Sequence, residues 1–335
     1  MAVPYLRVIV CSQNMLRLCH PPLSVLVTGK RTFLPKHVKA TLSAVAARKR
    51  KYGDTGPHPR SSFVEWNYPA ELHAFSARLG ETVDEAAVRR ALTERSFVLQ
   101  RRLERERLGL PDPEAESTED NSALAVRGRE LMTSYVAGWL RAALPRVPEE
   151  GVQAVTSYLT SRSQLHDLAS GIGLRDIVLS EEYPPSEEAL VRCLCAWLAA
   201  LANSAGEQRA HLFVRDFVIA RLAAADINTA WEIEEPLSVL GDTLRRCGRG
   251  PPESRLLRSA GPSSLLAAYL VGVYSDRQLM GSAPGESMDE ASELAARDAL
   301  NRLMGVTEAS AALDLRAERK PAHAPAAALA DWRPL

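Results

Sequence analysis

Cysteine is scarce in this sequence of 335 residues. The five cysteines are scattered and lack the paired spacing of a disulfide framework: Cys11, Cys19, Cys193, Cys195 and Cys247. This usage favours a reducing compartment over a disulfide-stabilised secreted domain. Cys193 and Cys195 form a C-x-C pair, but on a helix two such residues point about 200° apart and cannot share a metal ion. We therefore interpret both as structural cysteines.

Long apolar runs are also missing. The most apolar stretch, residues 189–202, is shorter than the roughly 18 residues that a membrane span needs, and it contains Arg192. We interpret it as a buried helix. Apolar residues make up 46% and charged residues 24% of the chain, which excludes a disordered or collagen-like protein. HExxH, P-loop and GxSxG motifs are absent from the sequence, so the catalytic classes that use them have no support.

Acidic residues are absent from the first 53 positions. Residues 1–60 hold eleven basic residues and only Asp54, whereas the remaining 275 residues carry 30 basic and 40 acidic side chains. The overall charge of zero hides this asymmetry. An arginine-rich, acid-poor and loosely amphipathic start is typical of a mitochondrial transit peptide. We predict a transit peptide and basic arm over residues 1–60.

Two alternatives for this segment stay open. One is a disordered basic tail of a cytosolic protein. The other rests on the basic cluster Arg48, Lys49, Arg50 and Lys51, which suits a nuclear signal or an arm that lies on phosphates. These four residues are therefore candidates for RNA binding.

Strand patterns are absent before about residue 253. From Trp66 onward, apolar residues recur at helical spacing and are separated by short joints of Pro, Gly and Ser. This pattern predicts an all-α domain over residues 63–233.

A change of pattern follows Pro236. A short helix, three extended segments and a final helix that begins at Ser287 follow within about 70 residues. This order predicts a small α-β-β-β-α domain over residues 235–308, with a loop at 281–285, and the fold class is α+β. Residues 309–335 are rich in Ala and Pro without a period, and we predict a flexible tail there.

Three stretches of the helical part resemble the ribonuclease III fold in order and spacing: RRALTERSF (89–97), NSALAVRGRELM (121–132) and LPRVPEEGVQAVTSYLTSRSQLHDLASGIGL (144–174). The α-β-β-β-α part resembles a double-stranded RNA-binding domain in two stretches: GSAPGES (281–287) and ELAARDAL (293–300).

A closer resemblance rests on five stretches taken together: EWNYPAELHAFSARL (65–79), LSEEYP (179–184), HLFVRDF (211–217), PESRL (252–256) and YLVGVYSDRQLM (269–280). These stretches resemble the family of protein forty-four of the mitochondrial large ribosomal subunit, which is a ribonuclease III relative. The likeness extends over about residues 63–308.

The ribonuclease III resemblance implies where a metal site would lie. Members of that fold hold two Mg²⁺ ions with clustered carboxylates. The matching positions in this chain are Ser122, Ala125, Arg129, Arg192 and Cys195, and one carboxylate is retained as Glu150. The resemblance therefore implies an inactive nuclease fold without catalytic residues, metal or other cofactor, and we expect the protein not to be an enzyme.

The RNA-binding resemblance has a departure of its own. In that family, lysines at the start of the second helix straddle phosphates. The matching positions here are Met288, Asp289 and Ser292, and residues 287–303 contain four acids and two arginines. We expect this helix not to grip duplex RNA. Candidates for RNA contact on another surface are Arg255, Arg258 and Arg277, and docking to a protein is the alternative.

Together the resemblances imply a structural protein of the mitochondrial large ribosomal subunit, located on ribosomes of the matrix. The implied partners are large-subunit rRNA, neighbouring mitoribosomal proteins and a second ribonuclease III-like subunit. The alternative function is a mitochondrial endoribonuclease, or an RNA-processing or stability factor that acts on double-stranded RNA.

Overall fold

The computed structural model describes residues 36–52, 59–63, 66–109, 120–224, 230–261, 267–307, 314–315 and 319–334. Residues 1–35, which form most of the predicted transit peptide, lie outside the described residues. The chain divides into two compact units, Met1–Gly56 and Pro57–Leu335. The domain boundaries given above stay predictions.

The first unit contains one described helix, α1 (Lys36–Tyr52). This helix has no acid in its first turn, and its described side chains, which begin at Lys39, are exposed. The predicted RNA-binding cluster lies at its C-terminal end, where basic side chains interact favourably with the helix dipole.

The second unit begins with a layer of helices. These are α2 (Tyr68–Leu79), α3 (Glu85–Ala91), α4 (Arg95–Arg107), α5 (Ser122–Ala143), α6 (Glu149–Leu159), α7 (Arg162–Gly171), α8 (Glu187–Ala205) and α9 (Glu207–Phe213). Short 3₁₀ turns lie at Arg60–Ser62 and Leu174–Asp176. Helix α9 continues as a π-helical turn, Val214–Val218, and a 3₁₀ turn, Ile219–Ala224.

Capping residues define the ends of these helices. Asn67 begins α2, since its side-chain oxygen accepts a hydrogen bond from the Ala70 N–H at 3.4 Å. Gly80 ends the same helix in the left-handed region, at φ 71°. Ser186 begins α8 in the same manner, by accepting from the Ala189 N–H at 3.2 Å.

Helix α8 forms the centre of the helical layer. Its residues 189–202 are buried on every side except at Arg192, as expected for a helix that is apolar all round. Trp197 packs edge-on against Phe75 and Phe213, with ring centroids 5.7 and 4.7 Å away. Among the described residues, α8 alone has a length and composition that would suit a membrane span, and 72% of its apolar window is buried inside the protein. The predicted buried helix is confirmed.

An α-β-β-β-α module follows, in the predicted order. It consists of α10 (Pro236–Arg246), β1 (Glu253–Ala260), β2 (Ala268–Ser275), β3 (Gln278–Gly285) and α11 (Met288–Met304). The sheet is antiparallel with the order β1-β2-β3. Asp276 and Arg277 connect β2 to β3 with φ 49° and 65°, and two positive angles give the turn a twist that suits a hairpin. The α+β fold class is confirmed.

The predicted loop at 281–285 is wrong, because β3 continues to Gly285. A Cβ at Gly281 would lie 2.5 Å from the carbonyl oxygen of Ala295 and from the amide nitrogen of Ala299. Glycine at this position therefore lets the strand backbone rest directly on α11. The glycines mark a close approach of two elements rather than a loop.

The described part of the predicted flexible tail, residues 319–334, is held against both parts of the second unit. We call this segment the C-terminal clasp. The Ala322 N–H donates to the Gly138 carbonyl of α5 at 2.9 Å, and the indole of Trp332, which is 4% exposed, donates to the Arg146 carbonyl at 2.8 Å. Arg246 of α10 donates to the Leu329 carbonyl at 2.9 Å and also to that of Ala330. The prediction of a flexible tail is wrong for these residues, because a buried indole and main-chain hydrogen bonds fix them.

Candidate functional site

Five of the six positions that the resemblance assigns to metal ligands lie on two helices in direct contact, α5 and α8. They are Ser122, Ala125, Arg129, Arg192 and Cys195. Gly128 permits the close approach, because a Cβ built there would lie 1.8 Å from the carbonyl oxygen of Cys195. The sixth position, Glu150, lies in the first turn of α6.

The three positions on α5 offer no carboxylate. Ser122 is bound to Asp120, which accepts from the Ser122 hydroxyl at 3.0 Å and from its N–H at 3.3 Å. Ala125 is 9% exposed, and Arg129 is exposed. The nearest acid is thus used to fix the start of the helix.

Cys195 on α8 is 1% exposed. Burial raises the pKa of its thiol to about 11, while the positive charge of Arg129 acts in the opposite direction. A thiolate is the form that binds metals or attacks as a nucleophile. The side chain of Cys195 is therefore a neutral thiol at neutral pH.

Arg192 is the one charged side chain within the buried stretch of α8. It lies 2.9 Å from a carboxylate oxygen of Glu188 and 3.5 Å from one of Glu94. The pair with Glu94 connects α8 to the residue before α4, whereas the pair with Glu188 lies within α8. Both carboxylates are thus bound to Arg192.

The retained carboxylate, Glu150, accepts a hydrogen bond from the Leu329 N–H of the clasp at 2.8 Å. Its neighbour Glu149 is bound by the Arg141 guanidinium at 2.6 and 3.0 Å and by the Ala326 N–H at 2.8 Å. The hydrogen bonds from Arg141 are the main cause that lowers the pKa of Glu149 to about 2. The first turn of α6 therefore serves as the docking point of the clasp.

Within the described ranges, no group of three or more His, Cys, Asp or Glu side chains is arranged to hold a metal ion. This holds for the α5–α8 crossing and for the start of α6. Five acids near these positions are engaged by serine, arginine or main-chain N–H groups, as given above, whereas Glu130 is exposed on α5.

Asn121 is a site residue that the sequence reasoning missed. It is fully buried, and its side-chain amide donates to the Ala91 carbonyl of α3 and to the sulfur of Cys193, both at 3.2 Å. It therefore ties the start of α5 to α3 and α8. An asparagine directly before a helix was the available signal, but that signal predicts only a cap.

The RNA-binding candidates near the N-terminus share one helix. Arg48, Lys49, Arg50 and Lys51 lie on consecutive positions of α1, and Arg48 and Arg50 are exposed. The Arg50 guanidinium donates to the Ala46 carbonyl at 3.3 Å.

The other candidates lie on the sheet. Arg255 and Arg258 belong to β1, which is exposed along its whole length, and Arg277 lies in the β2–β3 turn. Arg255 is 2.6 Å from a carboxylate oxygen of Glu253 and stacks over Tyr274, with its guanidinium carbon 5.4 Å from the ring centroid. Arg255 is therefore partly neutralised, and Arg258 is exposed.

The acids of α11 have structural partners. Ser287 caps α11, since its hydroxyl accepts from the Glu290 N–H at 3.1 Å, and the Glu290 carboxylate accepts from the Glu286 N–H at 3.2 Å. Glu293 accepts from the Leu237 N–H at the start of α10 at 3.0 Å. Asp298 accepts from the Ser282 N–H of β3 at 2.9 Å. Three of the four acids thus hold the module together.

Family models match the two parts of the second unit in succession. The model described as large ribosomal subunit protein mL44, endonuclease domain, matches residues 67–201. The model described as MRPL44 dsRNA-binding domain matches residues 231–331, a range that extends through most of the clasp.

Named relatives and solved structures give further likenesses. Large ribosomal subunit protein mL44 of Caenorhabditis elegans is 34% identical over 251 residues, which are 74% of this chain and 62% of that protein. The protein of the same name from Neurospora crassa is 30% identical over 105 residues, 31% of this chain and 24% of that protein. The chain thus spans less than two thirds of either relative. The nuclease domain of ribonuclease III from Campylobacter jejuni has a TM-score of 0.36 and 18% identity, and the match covers 48% of this chain and 99% of that one.

The two family models together match most of the chain after residue 66, and the nematode mL44 is similar to 74% of the chain. The chain therefore belongs to the mL44 family of large ribosomal subunit proteins.

Proposed function

We propose that this protein is a structural component of the mitochondrial large ribosomal subunit, located in the matrix, where it binds large-subunit rRNA and neighbouring ribosomal proteins. The observation that carries the proposal is the match of two mL44 family models to successive parts of the chain. The basic α1 helix and the RNA-binding type of the second module support an RNA partner.

Sedimentation of a mitochondrial lysate through a sucrose gradient tests this proposal. We expect the protein to sediment with the large subunit, and to stay with it when intact ribosomes are split by lowering magnesium. A protein found only in the free fractions at the top of the gradient would refute the proposal and favour an RNA-processing or stability factor.

We also infer that the helical layer is not a nuclease. The six positions that the resemblance assigns to metal ligands contain one carboxylate, Glu150, and two arginines. Glu150 is already bound by the Leu329 N–H. A cation 4 Å from a guanidinium is repelled by about 4 kcal/mol per unit charge at an effective dielectric near 20. These residues do not fit a pair of Mg²⁺ ions, which require clustered oxygen ligands.

A cleavage assay on long duplex RNA with Mg²⁺ or Mn²⁺ tests this inference. We expect no cleavage above that of a protein-free control. Glu130, which is exposed on α5, provides the matched variant. Cleavage that is lost in Glu150→Ala and kept in Glu130→Ala would make the chain an endoribonuclease.

For the second module, we propose RNA contact through the sheet arginines rather than through the start of α11. Exposed Arg258 and the turn residue Arg277 support this choice, and Asp289 and Glu290 at the start of α11 are unfavourable to phosphate. Replacing Arg255, Arg258 and Arg277 by Gln in the full chain should weaken duplex RNA binding and lower its salt dependence. Arg245→Gln on α10 is the control. Unchanged affinity in the triple variant would contradict the proposal.

A second ribonuclease III-like subunit as partner rests on the resemblance alone and stays a prediction. Light scattering of the purified protein tests one form of this prediction, in which the second subunit is another copy of the same chain. A single chain has a mass of 36.6 kDa, so a doubled mass would support pairing of two copies.

A further inference from the structure

The two faces of the module's sheet have different surroundings. Val271 and Val273 of β2 are fully buried, and Gly281 of β3 rests on the backbone of α11. Because successive side chains of a strand point to opposite faces, Gly272 and Tyr274 belong to the other face of β2. We call this second face the outer face of the sheet.

Three apolar side chains meet on the outer face, one from each strand. A Cβ built on Gly272 would lie 2.9 Å from the Cδ1 atom of Leu279 and 3.0 Å from that of Leu257. The ring of Tyr274 would lie 3.2 Å from the same point. Leu257 is 44% and Leu279 is 46% exposed. A contiguous apolar patch that stays exposed is typical of a binding surface.

Arginines surround this patch. The Arg255 guanidinium stacks over the Tyr274 ring at 5.4 Å. Arg258 pairs with Leu270, which alternates to the same side of β2 as Gly272, so Arg258 lies on the outer face. Arg277 lies in the turn, two positions before Leu279. Arg258 and Arg277 are exposed, and neither forms an ion pair with an acid among the described residues.

The acids of the sheet already have partners. Residues 253–260 and 268–285 contain three arginines and two acids. Glu253 is bound to Arg255 at 2.6 Å, and Asp276 accepts from the Gly250 N–H at 3.2 and 3.3 Å. The charges that stay available to an occupant are those of Arg258 and Arg277, so an anionic occupant is favoured.

We propose that the outer face binds unpaired RNA nucleotides, with a base on the apolar patch and phosphates on Arg258 and Arg277. The bases of a duplex are stacked inside it, so a duplex would reach the arginines but give the leucines no partner. Unpaired bases can stack on aromatic rings and on guanidinium planes such as that of Arg255. The inference rests on the RNA contact proposed for the sheet arginines and names the kind of RNA.

Fluorescence anisotropy with the full chain tests the proposal. The probes are a labelled single-stranded RNA of about 12 nucleotides without self-complementarity and the duplex of the same sequence. At equal salt, we expect the Kd for the single strand to be at least about tenfold lower than that for the duplex, since base stacking adds to the phosphate contacts. Equal affinity or a preference for the duplex would overturn the proposal. No binding of the single strand would overturn it in favour of a protein partner.

A pair of double variants shows whether the apolar patch is responsible. Leu257→Ser combined with Leu279→Ser should raise the Kd for the single strand at least about tenfold and leave that for the duplex unchanged. Leu99→Ser combined with Leu103→Ser is the matched control, because these leucines of α4 are 49% and 55% exposed and lie outside the sheet. Equal effects of the two double variants would overturn the proposal.

Cross-linking provides a test that needs no variant. A single strand that contains thiouridine is irradiated with the unaltered chain, and we expect cross-linked peptides from residues 253–260 or 268–285. Cross-links confined to α1 or α11 would overturn the proposal.

The triple arginine variant described above separates this inference from the proposed contact. If that variant weakens the binding of both RNAs and the single strand is not preferred, only the present inference fails. If it changes neither affinity, RNA contact through the sheet fails as well.

Discussion

Two adjacent glutamates at the start of α6 hold different neighbours. Glu149 is bound by Arg141 of the helical layer and by the Ala326 N–H of the clasp, and Glu150 is bound by the Leu329 N–H of the clasp. The side chains of Arg141 and Glu149 are 18% and 12% exposed, so this ion pair is largely shielded from water. Shielded, charge-assisted hydrogen bonds stabilise more than surface ion pairs do.

We expect Glu149→Gln to lower the free energy of unfolding at neutral pH by about 1.5–3 kcal/mol, because Arg141 loses its charged acceptor. The pKa of Glu149 in the folded protein, about 2, is below the ordinary value of 4.5. The carboxylate therefore contributes its full stabilisation above about pH 4.5 and loses it as the pH falls towards 2. Urea unfolding at neutral pH and near pH 3 should show a smaller difference between variant and parent at the lower pH.

The control for this prediction is Glu187→Gln, since Glu187 is an exposed acid in the first turn of α8. It should change the free energy of unfolding by no more than about 0.5 kcal/mol. A Glu149→Gln effect of the same size at both pH values would show that the charge of Glu149 has no part in stability.

Gly128→Ala should be strongly destabilising. Its methyl group would lie 1.8 Å from the Cys195 carbonyl oxygen, so α5 and α8 would have to separate at the centre of the core. We expect a loss of about 3 kcal/mol or more, measured by the denaturant midpoint. Gly171→Ala is the matched control, because nothing lies within 4 Å of its Cβ position. Equal midpoints for the two variants would contradict the close approach.

At the scale of elements, α11 supplies the cap of another helix. Glu235 precedes α10 but makes no capping hydrogen bond with its side chain. Glu293 of α11 instead accepts from the Leu237 N–H, one of the unpaired donors at the start of α10. Glu293, one of the four acids of α11, is therefore needed by the packing of the module.

Glu293→Ala should lower the free energy of unfolding by about 1 kcal/mol, which is typical for loss of a helix cap. Glu293→Gln keeps an oxygen acceptor and should restore most of this loss. Thermal unfolding of the full chain measures both. The same loss in Gln and Ala would show that the charge, and not the hydrogen bond to Leu237, is what stabilises the module.

The order of helices and strands was predictable because the apolar residues of most of these elements recur with a fixed period, even though β1 and α4 bury no residue. The end of β3 was not predictable by this route. Gly281 and Gly285 resemble loop residues in sequence, and their close packing on α11 depends on the alanines of a later element. Periodicity within one segment carries no information about such contacts.

The candidate site was predictable only as a set of positions. The resemblance assigned Ser122, Ala125 and Arg129 to one helix, and the structure has them on α5. It gave no partner for Arg192, because Glu94 is distant in sequence and ion pairs between distant residues leave no local pattern. The RNA-binding roles of the basic residues stay predictions.

At the scale of the whole second unit, two segments among its described residues cross between the helical layer and the module. Trp231 lies against Gly151 of α6, where an added Cβ would be 2.8 Å from the indole ring, and its carbonyl accepts from Arg297 of α11 at 3.1 Å. The clasp is the second crossing, from Gly138 and Glu150 to Arg246. The clasp was missed because main-chain hydrogen bonds require no particular side chain, and only Trp332 signalled burial.

Trp332→Ala should loosen the clasp. We expect the free energy of unfolding to fall by about 3 kcal/mol, because a buried indole and its hydrogen bond to Arg146 are lost. Hydrogen exchange should also become faster in α10, which Arg246 connects to the clasp. Arg333→Ala, at the exposed neighbouring position, is the control and should change neither quantity. Unchanged exchange in α10 would show that the clasp does not couple the two parts.

The position of the clasp has a consequence for the order in which the fold is completed. Chains are synthesised from the N-terminus, so α5, α6 and α10 leave the translating ribosome before residues 319–334 do. The glutamates of α6 and the guanidinium of Arg246 must wait for their last main-chain partners until residues 319–334 have been synthesised. A stop codon shortly before residue 319 would therefore keep every helix and strand described here, yet remove the contacts of the clasp and leave those of the segment that contains Trp231.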